Sequence, residues 1–182
     1  MNLANVIEGH PADSVALVDG DRTVTYGELR KLVARRRRHL RQLGVTVGNV
    51  VTVAAGNEVS FAVSALAVLG LGGIVMPVNP LSPPPELQLR IDMVQSEVLL
   101  IGAVAQAFLD HDFGVFSVDA TVVLPDGLPD DPGVADQLPD ATAFYMLTSG
   151  VSGEPKVAGR RKLLSLDGIL DDFVAGLHRI RI

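Results

Sequence analysis

The stretch VVTVAAGNEVSFAVSALAVLGLGGIVMPVNP, residues 50–80, decides the fold. Its opening run, Val50 to Ala54, is short and apolar, the composition of a buried strand. Residues 58–69 are rich in Ala, Val and Leu and read as a helix. Ile74 to Val78 is a second apolar strand. Taken alone, the apolar run 61–78 approaches the roughly 20 residues that a bilayer-spanning helix needs. Gly70, Gly72, Gly73 and Pro77 interrupt it, which suits a buried helix, a turn and a buried strand better than a span.

Working outward, the same alternation continues on both sides. Residues 2–8 suit a short helix. Residues 15–18 and 23–24 suit a small hairpin turning at Gly20 and Asp21. Thr25 and Glu28 have the S/T-x-x-E spacing of a helix N-terminus. Leu29, Leu32, Val33, Leu40 and Leu43 follow at helical spacing, and Gly44 is placed to end that helix. Downstream, Ser82 precedes three prolines that suit the start of a helix over 86–94. Residues 98–101 read as a strand, 103–109 as a short helix, and 116–118 and 122–124 as strands. Strands apolar throughout and alternating with helices predict an α/β fold: a mostly parallel sheet with helices on both faces. Residues 1–124 form that subdomain. Residues 125–140, rich in Pro, Asp and Gly, read as an exposed linker. Residues 141–182 add a strand over 143–147 and an amphipathic helix over 163–177.

Composition narrows the function. The chain has 182 residues, 48% of them hydrophobic and 20% charged, enough for a globular core. Its net charge of −6 argues against a general nucleic-acid or anionic-membrane binder. There is no cysteine, which removes disulfides, thiolate metal sites and a cysteine nucleophile, and suits a cytoplasmic protein. His10, His39, His111 and His178 are scattered without metal-ligand spacing. Asp126, Asp130, Asp131, Asp136 and Asp140 lack a calcium-loop pattern and read as a solvated loop. The run Arg35–Arg38 is read as a solvated helix face; Arg36 falls near the apolar stripe and needs to snorkel or pair.

The segment with chemistry is Leu147-Thr148-Ser149-Gly150-Val151-Ser152-Gly153-Glu154-Pro155-Lys156, directly after the apolar strand. Glycines let a backbone curl its amides around an anion. Hydroxyls add donors and lysine adds positive charge. Polyphosphate binding is the functional reading, and a surface turn is the bland one. The spacing is neither G-x-x-x-x-G-K-[ST] nor G-x-S-x-G.

The segment resembles the phosphate-binding signature T-S-G-[ST]-[ST]-G-x-P-K-G of the adenylate-forming (AMP-binding) enzymes. Thr148, Ser149, Gly150, Ser152, Gly153, Pro155 and Lys156 match it; Val151 and Val157 depart from it. Val24-Thr25-Tyr26-Gly27-Glu28-Leu29 is similar to that family's early L-T-Y-x-E-L motif. Residues 69–80 are similar to its L-x-A-G-x-x-x-x-P-[VL]-[ND]-P segment. The ending Val78-Asn79-Pro80 looks more like acyl-CoA synthetases (fatty-acid–CoA ligases) than amino-acid-activating domains.

The resemblance implies ATP with magnesium as cofactors, an acyl-adenylate intermediate, and coenzyme A or a phosphopantetheine thiol as acceptor. It assigns triphosphate binding to Thr148, Ser149, Ser152 and Lys156, with Gly150 and Gly153 shaping the backbone, and no catalytic residue. The family's adenine pocket, magnesium glutamate, ribose aspartate, hinge and C-terminal lysine domain are not matched. The chain is therefore expected to be inactive alone. Alternatives are a non-catalytic interaction module and one half of a split ligase. Self-association, or a partner supplying the C-terminal portion, is expected from an incomplete sheet.

Overall fold

The computed structural model describes residues 2–122, 124, 130–136, 141–149 and 155–161. A 3-10 helix, Leu3–Ile7, opens the chain, and β1 (Val15–Asp19) and β2 (Arg22–Thr25) form an antiparallel hairpin. Helix α1 (Tyr26–Gln42) begins where Thr25 Oγ1 accepts from the Glu28 amide at 3.2 Å, satisfying one orphan donor of the first turn. Glu28 itself turns to Arg22, 3.5 Å away. Gly44, at φ +88°, then ends the helical path in a conformation that side chains with a Cβ resist.

The remaining elements are β3 (Val50–Ala54), α2 (Val59–Gly70), β4 (Ile74–Val78), α3 (Pro84–Val94), β5 (Val98–Ile101), a 3-10 helix over Ala103–Asp110, β6 (Phe116–Asp119), β7 (Thr142–Ser149) and β8 (Pro155–Arg161). They build one six-stranded sheet in the order β6-β5-β3-β4-β7-β8. The first five strands run parallel and β8 pairs antiparallel to β7. Alternate residues of the strands enter different cores. Val51, Val53, Val75, Val98 and Leu100 pack with α1 and α2, whereas Met76, Leu99 and Ile101 pack with Leu87 and Ile91 of α3. Coverage on both faces explains why β3, β4 and β5 are apolar at every position except Thr52.

Helix α2 is buried almost all round, from Val59 to Gly70. It lies between the sheet, α1 and the opening 3-10 helix, which is where a helix without a polar face belongs. No helix among the described residues is long and apolar enough to cross a membrane.

Three readings of the sequence need correction. Asp131 does not lie in a solvated loop. Arg37, buried, donates from Nε to Asp131 Oδ1 at 2.6 Å and pairs through Nη2 with the other oxygen. Gly70 leaves room for that arginine, since a Cβ there would lie 3.0 Å from Arg37 Nη1. The Ala135 amide donates to Gly70 O at 2.7 Å, and Asn2 Nδ2 bridges Leu69 O and Ala135 O. Residues 131–135 are thus strapped across the C-terminal end of α2, satisfying carbonyls the helix leaves open. Second, the arginine run is not a solvated face, because Arg36 and Arg37 are both buried. Third, the strand expected over 122–124 does not form at its two described residues; Val122 O accepts from Arg36 instead. The helix expected over 163–177 lies outside the described residues, as does most of the linker.

His39, one turn along α1 from Arg36, is held below the usual histidine range by burial first and by the Arg36 charge second. The fold takes up this proton at a lower pH than the unfolded chain, which does so near pH 6.5. Stability from this source is therefore complete above about pH 6.5 and declines as pH falls below it. The urea midpoint is expected to drop between pH 7.5 and 5.5, and less so in His39→Gln; an identical slope in both chains would assign the decline to other groups.

Candidate functional site

A parallel sheet gathers the C-terminal ends of its strands along one edge, where open α/β folds bind ligands. Here β3, β4, β5 and β7 end on that edge. Connections diverge between β3, which leads toward β4, and β5, which leads toward β6. A side chain of the protein itself occupies that crevice. Glu58 Oε1 accepts from the Gly56 amide at 3.2 Å and the Ala103 amide at 3.0 Å, and Oε2 lies 3.1 Å from the same Ala103 nitrogen. Asp19 Oδ2 takes the Val59 amide at 3.1 Å, capping α2 from the β1 hairpin. The carboxylates at these two helix starts stand where an anion would. Sequence reading passed over Glu58; the one available signal was an acidic residue just before an apolar helix.

The other candidate lies two strands away from β3, at the end of β7. Phe144 packs on the α1–α2 side and Tyr145 on the α3 side, so β7 is anchored on both faces before it reaches the edge. Val75 of β4 pairs with Phe144, fixing the parallel register. The strand ends at Thr148 and Ser149. After residues 150–154 the chain returns as β8, with Thr148 opposite Lys156, Ser149 opposite Pro155, and Leu147 opposite Val157. Thr148 and Lys156, the outer polar members of the predicted phosphate segment, thus lie side by side at the ladder's last pairs. Gly150, Ser152 and Gly153 fall outside the described residues. Val157, where the signature carries glycine, continues β8. Strand β8 was not anticipated from the sequence: Val157 is the one β-branched residue in Pro155–Arg161, and Gly159 and three basic residues dilute the strand signal.

Among the described residues, no group of three or more His, Asp or Glu side chains gathers into a metal site. His10 instead stacks on Tyr26 at 4.1 Å, and Arg30 donates to Ile7 O and His10 O. Those contacts tie the segment before the hairpin to α1, giving Tyr26 and its neighbours a scaffold role.

Comparison with known proteins agrees with this fold. The family model described as AMP-binding enzyme matches residues 3–159. Malpinin synthetase of Mortierella alpina is 32% identical over 151 residues, covering 82% of this chain and 2% of that protein. Phosphinothricin tripeptide synthetase of Streptomyces viridochromogenes is also 32% identical over 151 residues, covering 81% of this chain and 14% of that protein. Among solved structures, O-succinylbenzoate coenzyme A synthetase from Bacillus subtilis, in complex with AMP, superposes with a TM-score of 0.77 at 23% identity, covering 88% of this chain and 42% of the other. The chain thus spans a small part of the length of these proteins, and the likeness to the solved ligase concerns the fold. On the family match, the chain belongs to the AMP-binding enzyme family.

Proposed function

We propose that this chain is the triphosphate-holding, N-terminal part of an adenylate-forming ligase. The observation that supports the reading is the β7–β8 pairing, which sets Thr148 beside Lys156 at the C-terminal end of β7. In the reaction, a carboxylate oxygen attacks the α-phosphorus of ATP. The new P–O bond forms as the bond to the bridging oxygen breaks, and pyrophosphate leaves with the electron pair. A thiol then takes the acyl group and releases AMP. This chain's part is to bind the β- and γ-phosphates through Thr148, Ser149, Ser152 and Lys156, with Gly150 and Gly153 bringing backbone amides close. That contribution is positioning and charge compensation. Magnesium, which the family resemblance implies, would offset part of the same charge. Coenzyme A or a phosphopantetheine arm serves as the thiol.

Two acid classes have support. Val78-Asn79-Pro80 and the fold of the coenzyme A synthetase favour an acyl or aryl acid. The similarity to a tripeptide synthetase favours an amino acid. We take the activated group to be a carboxylate of either class.

The test uses this chain alone with magnesium and ATP, reading heat of binding and carboxylate-dependent exchange of labelled pyrophosphate into ATP. Binding without exchange, across amino, aryl and fatty acids, is the expected result. A folded sample that binds no ATP at millimolar concentration contradicts the reading. Exchange in the chain alone would contradict the assignment of the remaining chemistry to residues outside it.

A further inference from the structure

Beside the Glu58 crevice, at the C-terminal ends of β3, β5 and β6, lies a cleft of about 240 Å³. Arg36 of α1, Ser60 in the first turn of α2, and Thr121 and Val122 after β6 line it, along with Asp19 and Glu58. Two of these residues carry orphaned polar atoms. Arg36 is 3% exposed. Its Nη2 donates to Ala120 O at 3.0 Å and Val122 O at 3.3 Å, but Nε and Nη1 have no hydrogen-bond partner among the described residues. Ser60 Oγ is buried and equally unpartnered.

Unsatisfied buried donors are rare because each costs about 1–3 kcal/mol, and a charged one costs more. Three such atoms, on two residues of one cleft wall, indicate a missing acceptor. The nearby carboxylates do not supply it. Glu58 is committed to the Gly56 and Ala103 amides, and Asp19 to the Val59 amide. Asp119 acts on Arg36 through its charge while its Oδ1 accepts from Thr121 and Gln106. Burial accordingly lowers the Arg36 pKa, with Asp119 offsetting part of that effect.

We propose that this cleft is a second ligand site, separate from the β7–β8 segment, which takes an oxyanion, carboxylate or phosphate, between Arg36 and Ser60. The guanidinium supplies charge and two donor nitrogens, and Ser60 supplies a hydroxyl. The volume, about eight waters' worth at roughly 30 Å³ each, suits a small organic acid or a phosphate group. The orphaned atoms have no exposed surface, so the anion reaches them through a rotamer change in the cleft wall.

The test is an amide-NMR titration of the Lys156→Ala chain, so that anion binding at the β7–β8 segment does not contribute. Acetate and inorganic phosphate are added separately at constant ionic strength, with chloride as the reference. Saturable shifts at Ser60, Thr121 and Val122 are expected with at least one of the two anions. The responsive anion identifies the chemistry of the source. Ser60→Ala, which removes one hydroxyl, should weaken the apparent affinity about fivefold, and Arg36→Met should abolish the response. If Arg36→Met does not fold, Ser60→Ala alone decides. No saturable shift with either anion up to 50 mM (about the limit of a useful site), or equal affinity in Ser60→Ala, overturns the proposal.

Discussion

Replacing Gly102 by alanine is expected to destabilise the fold by about 2–5 kcal/mol, combining overpacking with loss of charge-assisted hydrogen bonds to Glu58, one of them part-buried. A Cβ at this position would lie 2.1 Å from Glu58 Oε1, 2.6 Å from Ala55 Cβ and 2.9 Å from Ala55 Cα. Glu58 can swing away, but only by abandoning the Gly56 and Ala103 amides. The Ala55 contacts are nearer to backbone and cannot yield without moving the end of β3. Adding Glu58→Ala to Gly102→Ala should therefore not restore stability. At about 2–4 °C per kcal/mol for a chain of this size, a melting point lowered by roughly 4–20 °C is the readout. A loss below about 1 kcal/mol would mean that β3 and β5 are not packed this closely.

The second large effect concerns ligand rather than fold. Lys156→Ala should weaken binding of magnesium-ATP at least tenfold and leave the melting temperature of the free chain within about 2 °C. A charge-assisted hydrogen bond is worth about 1.5–3 kcal/mol, or roughly 10- to 150-fold in affinity. The affinity for AMP, which lacks the β- and γ-phosphates, should be unchanged. Equal loss for ATP and AMP would place Lys156 elsewhere on the nucleotide. Unchanged ATP affinity would remove it from the site.

The sequence carried the parts of this picture that depend on periodicity and local signals. The apolar runs at Val50–Ala54, Ile74–Val78 and Val98–Ile101 are strands because they are covered on both faces. Thr25 caps α1 as its spacing to Glu28 required. The assignment of residues 147–156 to phosphate binding rests on hydroxyl, glycine and lysine spacing and on resemblance to a family motif; what the structure adds is the pairing of Thr148 with Lys156. What escaped reading depends on distant partners. Nothing near Arg37 in the chain marks Asp131 as its partner, 94 residues away. Nothing near Glu58 marks the Ala103 amide, 45 residues away. The arginine run was judged by its own charge, whereas its fate is set by the carbonyls of Ala120 and Val122 and by Asp131. Strand β8 has little strand propensity of its own and forms by pairing with β7.

The central claim is that the β7–β8 segment holds the triphosphate. Amide hydrogen exchange across residues 147–157, with magnesium-ATP and then with magnesium and AMP at equal saturation, tests it most directly. The account predicts slowed exchange around Thr148 and Lys156 with ATP and little change there with AMP. Protection that is the same for both nucleotides, or that appears elsewhere in the chain while this segment exchanges freely, would contradict it.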